Sequence, residues 1–190
     1  MLRGIGFELG AGECLLVGGA NGSGKTSLLR AVSGLMYPEE GRVLWGGQDT
    51  RLDLAAFHGD LAYIGHEAPL KADLSAVENL YYWVGVRRPV GPGEVQRVLE
   101  RVDGLTWSEQ LARTLSAGQR RRVALAGLLL MAVPLWLLDE PSTNLDADGQ
   151  RLVGTLIENH LAGGGLVVAA VHNDLPLASA SVRLLELERE

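Results

Sequence analysis

Hydrophobic positions along this chain follow two alternating patterns. Short, mostly apolar runs read as strands: Cys14 to Val17, Val43 to Trp45, Leu61 to Ile64, Leu135 to Leu138, Leu166 to Val171 and, interrupted by Arg183 and Glu186, Val182 to Leu187. Ile5, Phe7 and Leu9 alternate with small or polar residues, the period of an edge strand. Elsewhere the spacing is helical. Lys25 to Gly34 turns Leu28, Leu29 and Val32 inward, and Ala76 to Val84 carries Tyr81-Tyr82-Trp83. Val95, Val98, Leu99 and Val102 mark one helical face, followed by Arg120 to Leu130 and the stretch around Leu152, Val153, Leu156 and Ile157. Gly91-Pro92-Gly93 and Gly163-Gly164-Gly165 read as loops. Strands alternating with helices at both ends predict an α/β fold, a mostly parallel sheet covered on both faces. The helical middle reads as an insertion, so one domain is expected, with a core of residues 1–65 and 132–190 and a helical subdomain of 66–131.

Composition narrows the function. Hydrophobic residues make up 47% of 190 and charged residues 21%, which excludes a disordered chain, a collagen or a disulfide-stapled miniprotein. The net charge of −6 argues against a nucleic-acid partner. The longest uncharged run, Val123 to Leu138, is too short for a bilayer span and is divided by Pro134. Residues 1–20 hold Glu8 and Glu13 and no apolar leader, and Cys14 is the single cysteine. A soluble, cytoplasmic protein is expected. Of the 17 basic residues only Lys25 and Lys71 are lysines, and a sequence that avoids lysine can keep one where arginine cannot substitute.

Lys25 lies in such a place. Gly19-Ala20-Asn21-Gly22-Ser23-Gly24-Lys25-Thr26 fits G-x-x-x-x-G-K-[ST], between a buried strand and a helix, with Ser27 continuing the helix. Glycines let backbone N–H groups converge on phosphate oxygens, and the helix adds its positive end. Lys25 would reach the β- and γ-phosphates of a nucleoside triphosphate, and Thr26 would hold Mg²⁺; kinases, GTPases and many ATPases share this loop. Two further apolar strands end in chemistry. Leu135 to Leu138 runs into Asp139, suited to Mg²⁺, and Glu140, suited to activating water. Val167 to Val171 ends at His172, which could donate to the γ-phosphate or the attacking water. In open α/β sheets, ligands bind at such carboxyl ends.

Leu115-Ser116-Ala117-Gly118-Gln119 opens a helix about twenty residues before Asp139, with Arg120, Arg121 and Arg122 adding positive potential. This resembles the LSGGQ signature of ATP-binding cassette (ABC) ATPases, with Ala117 for the first glycine. Ser142-Thr143-Asn144-Leu145-Asp146 resembles the family's D-loop, and His172 its switch histidine. The resemblance covers nearly the whole chain. It implies a P-loop NTPase (RecA-like) core with an inserted ABC helical subdomain and an N-terminal antiparallel strand region. It implies catalytic Lys25, Glu140 and His172, nucleotide binding by residues 19–27, and metal binding by Thr26 and Asp139. It further implies a head-to-tail pair of cassettes, in which Ser116, Ala117, Gly118 and Gln119 face the partner's ATP and Asp146 crosses the interface. An integral membrane permease subunit and a place on the cytoplasmic face of the cell membrane follow from the same resemblance.

Details such as Tyr63-Ile64-Gly65-His66 and Pro134 to Pro141 are similar to the heme-exporter branch of cytochrome c biogenesis. A soluble ABC ATPase of repair, translation or cluster assembly is the alternative. Against it stand the single cassette and the lack of a heptad insertion or basic tail. Two departures matter. The Q-loop glutamine position falls on His66, followed by Glu67, and either His66 or Glu67 stands in for it as a further metal contact. Phe7 is the only aromatic residue ahead of Lys25 and its alternation reads as packing, so weak base stacking and broad nucleotide tolerance are expected.

Overall fold

The computed structural model describes residues 2–172, 175–177 and 181–188. β1 (Cys14–Gly19) leads through the glycine-rich turn into α1 (Lys25–Val32). β2 (Leu44–Trp45) and β3 (Gln48–Asp49) form a hairpin across Gly46-Gly47, whose φ values of 57° and 81° suit the mirror-image turns that hairpins favour. α2 (Leu54–Gly59) is capped by Asp53, which accepts from Ala56 N–H, and precedes β4 (Leu61–Ile64). The helical stretch holds α3 (Ala76–Gly85), α4 (Pro92–Arg101) and α5 (Ala117–Met131). The chain returns through β5 (Leu135–Asp139), α6 (Ala147–Ala162), β6 (Leu166–Ala170) and β7 (Val182–Leu187).

The main sheet is parallel throughout, in the order β4-β5-β6-β1-β7. Because strand side chains alternate, its faces feed two separate clusters. Cys14, Leu16, Trp136, Leu138, Val167 and Ala169 point to one side. There they share a continuous core with Leu80, Val84, Leu99 and Leu128 of the helical stretch, so the insertion has no core of its own. Leu15, Val17, Leu137 and Val168 point to the other side, against Leu28, Leu29 and Phe57. Register places Val17 and Asp139 both opposite Ala170, which levels the carboxyl ends of the three central strands.

Three sequence readings need correction. Residues 5–9 form no strand: β2 and β3 pair only with each other, and among the described residues no strand pairs with 5–9, although Phe7 and Leu9 still pack on the second cluster. The small antiparallel element is therefore the β2–β3 hairpin. Gly91-Pro92-Gly93 is the start of α4, where proline suits the first helical position and the Glu94 carboxylate accepts from Gly91 N–H at 3.1 Å. The helix read from Arg120, α5, starts at Ala117, because Ser116 caps it.

Candidate active site

The phosphate loop follows β1. Gly19, Gly22 and Gly24 hold φ of 130°, 80° and 103°, a region that side chains rarely enter. At Gly19 a Cβ would also stand 2.5 Å from Leu187 O, so sterics require glycine there twice over. The Lys25 side chain, 6% exposed, donates from Nζ to Gly19 O at 2.6 Å and Ala20 O at 3.1 Å, which centres its charge in the loop. Ser23 Oγ is buried and has no hydrogen-bond partner among the described residues. A buried donor without a partner, in a loop at a helix N-terminus, suits an anion supplied by a ligand.

The ends of β5 and β6 complete the site. Thr26 Oγ1 donates to Asp139 Oδ2 at 2.9 Å, joining the loop to β5. This hydroxyl and carboxylate are hard oxygen donors. No group of three or more His, Cys, Asp or Glu placed to hold a metal ion occurs among the described residues. That donor set fits Mg²⁺, which takes one or two protein oxygens together with substrate phosphates. Glu140 has a left-handed backbone at φ 50° and donates its N–H to Ala170 O at 3.0 Å. Its carboxylate is surrounded. Thr143 Oγ1 donates to Oε2 at 3.1 Å, His66 Nδ1 lies 3.5 Å from Oε2, and His172 Nε2 lies 3.2 Å from Oε1. Of the two candidates, His66 lies beside this carboxylate. Nearby, burial raises the Tyr63 hydroxyl above its ordinary pKa, reinforced by Asp139 and opposed by Arg30.

The signature residues are occupied locally. Ser116 Oγ accepts from Gln119 N–H at 3.1 Å and Gln119 Oε1 from Ser116 N–H at 2.8 Å, a reciprocal cap on α5. Ala117 is exposed, so the methyl in place of the usual glycine meets no obstacle. Gly118 is tight: a Cβ would stand 2.9 Å from Asn144 O. Asp146 caps α6, accepting from Gly149 N–H at 2.8 Å. Among the described residues no hydrogen bond or ion pair joins residues 116–119 or Asp146 to the phosphate loop. The basic run after the signature does not form a uniform positive surface. Arg122 turns to Val102 O and Asp103, and Arg121 is buried under the carbonyls at the end of β5. Arg121 and Thr143 are the site residues that sequence reasoning missed.

With this geometry in place, residues 2–143 match the family model described as ABC transporter. The chain belongs to the ABC transporter family. Its cassette is 44% identical over 184 residues to the cytochrome c biogenesis ATP-binding export protein CcmA of Rhodopseudomonas palustris, covering 95% of this chain and 88% of that one. The corresponding protein of Methylococcus capsulatus is 45% identical over 176 residues, covering 92% and 85%. Among solved structures, an ATP-binding cassette in a dimeric post-hydrolysis state bound to ADP and Pi superposes with a TM-score of 0.78. That cassette is 25% identical, and the match covers 96% of this chain and 86% of that one. Clostridium perfringens cbiO1, part of the transporter complex cbiONQ, gives 0.77 at 25% identity, covering 92% and 73%. The cassette is thus an ABC ATPase, and no described helix in it is long and apolar enough to cross a membrane.

Proposed function

We propose that this cassette powers a cytochrome c biogenesis exporter of the heme-exporter type, hydrolysing ATP on the cytoplasmic face of the cell membrane beside an integral permease subunit. The observation that carries the proposal is the surround of Glu140, at the end of a central strand and beside the phosphate loop. The 44–45% identity to CcmA proteins supports the branch. Residues 19–27 would cradle the triphosphate, with Lys25 as its compact charge. Thr26 and Asp139 would hold Mg²⁺, which when bound neutralises phosphate charge. Glu140 would accept the proton of the attacking water. His172, on Oε1, and His66, on Oε2, would hold that carboxylate in line, and His172 would also sense the γ-phosphate. In a head-to-tail pair, Ser116, Ala117, Gly118 and Gln119 would face the ATP of the second copy, with Asp146 crossing between them. The helical subdomain, residues 66–131, would meet the permease, and residues 1–65 and 132–190 would carry the nucleotide.

Phosphate release with and without Mg²⁺ tests the chemistry, alongside membrane fractionation with and without a co-expressed permease. The expected result is Mg²⁺-dependent hydrolysis lost in Lys25→Ala, and sedimentation with membranes only when the permease is present. Hydrolysis with a cassette that stays soluble beside the permease would favour the non-transport reading.

A further inference from the structure

Arg121 is 4% exposed, in the second turn of α5, and none of the roles above uses it. Burying a guanidinium is costly unless its donors are satisfied. Here they are. Nε donates to Pro141 O at 3.1 Å, Nη1 to Gly65 O at 2.9 Å, and Nη2 to Asp139 O at 2.6 Å and to Glu140 O. All four acceptors are backbone carbonyls, and three are consecutive. Burial disfavours its charge, and the nearby Asp139 and Glu140 carboxylates restore part of it.

Three features make this more than a structural bond. First, the clamped peptide carries the left-handed backbone of Glu140, a conformation that a glutamate keeps only when its surroundings impose it. Second, Gly65 precedes His66, whose imidazole lies 3.5 Å from Glu140 Oε2, so one guanidinium sets both the glutamate and the loop that meets it. Third, Ser116 and Gly118 stand at the start of the same helix. Five residues of helix separate Ser116 from Arg121, about 7.5 Å of rigid rod. Few side chains could do this: a fork of N–H groups can hold four carbonyls at once, and a lysine ammonium cannot.

We propose that Arg121 is a positioning residue that ties the signature turn of α5 to the glutamate, so that whatever docks on that turn sets the orientation of Glu140 and His66. This rests on Glu140 being the residue that activates water. The test uses the full chain with Arg121→Lys and Arg121→Gln, measuring kcat, KM, nucleotide affinity and Tm. Turnover should fall about 10–100-fold in both variants, the scale of a small misplacement of a catalytic group. Nucleotide affinity and KM should stay within about twofold, because the phosphate loop is untouched. Normal kcat in Arg121→Gln would overturn the proposal. So would a loss of kcat that merely follows lost nucleotide binding or a collapsed Tm in both variants, since that would mark a residue that only holds the fold. Glu140→Gln, run in parallel, separates the two readings. If it turns over normally, the role of Glu140 fails; if it is inactive while Arg121→Gln is normal, only the role of Arg121 fails.

Discussion

Replacing Gly118 by alanine places one methyl group where α5 meets the loop that follows Glu140. The added Cβ would lie 2.9 Å from Asn144 O and 3.8 Å from Leu145 Cδ2. Ordinary contact begins near 3.4 Å, so loop and helix must separate by about 0.5 Å. The obstacle is backbone, which cannot swing aside as a side-chain end would. Overpacking of this kind costs about 1–3 kcal/mol. Against it, alanine in place of glycine in a helix gains about 1 kcal/mol. The net destabilisation is then about 0–2 kcal/mol, a fall in Tm of at most about 8 °C for a domain of this size. Hydrolysis should suffer more. Asn144 is already held at φ 65°, and its neighbour Thr143 donates to the Glu140 carboxylate, so a half-ångström push reaches the glutamate directly. A drop in kcat of about 10–100-fold is expected. Thermal melting and phosphate release on the purified variant read both quantities. A variant with the parent rate and a Tm within about 1 °C would mean that the helix–loop contact has slack, refuting the steric argument.

Further outcomes follow from other contacts. His66→Ala should lower kcat about tenfold with little change in KM, and His66→Gln should recover part of it by restoring a donor to Glu140 Oε2, checked by steady-state kinetics. Ser116→Ala removes the acceptor for Gln119 N–H and should cost about 0.5–2 kcal/mol in chemical denaturation. His160 stacks on Trp136 with ring centroids 3.8 Å apart, and burial lowers its pKa below the ordinary 6.5, opposed by hydrogen bonds to the Pro134 and Leu166 backbone. The unfolded chain therefore binds the proton more readily, so this contribution is complete above pH 6.5 and is lost as pH falls below it. Tm measured across that range should decline on the acid side, and the decline should flatten in His160→Phe.

Much of the catalytic end was legible because strand ends and motif coincide. The reading of Leu61 to Ile64 and of Val182 to Leu187 matches β4 and β7 residue for residue; the first run is apolar throughout, and the second keeps Val182, Leu184, Leu185 and Leu187 around Arg183 and Glu186. The glycine spacing marked the loop, and the contacts link residues picked from the sequence: Thr26, at the start of α1, meets Asp139 at the end of β5, and His172, just after β6, meets Glu140. What was hidden depends on tertiary context. Ile5, Phe7 and Leu9 alternate like a strand, but alternation cannot reveal whether a ladder partner exists. α2 is too short for helical periodicity to register. Lys71 had no sequence rationale, and its ammonium rests 4.4 Å from the centre of the Tyr82 ring, a contact between a loop and a helix that only folding creates. Arg121 sits between two other arginines, and nothing in the run Arg120-Arg121-Arg122 distinguishes the buried one from its neighbours. One signal was available: along α5, position 121 falls on the face of Leu125 and Leu128, both buried.

Glu140, held by His66, Thr143 and His172, is proposed to activate the water that cleaves ATP. The most direct test of this role is steady-state phosphate release by Glu140→Gln, with the same sample passed over a sizing column in ATP and Mg²⁺. Glutamine keeps the shape of the side chain and cannot take the proton. Release should fall by about 100-fold or more, the range of general-base contributions, while the nucleotide stays bound and the protein elutes as a dimer. Release at the parent rate, from a protein that never dimerises, would show that Glu140 does not serve as the base.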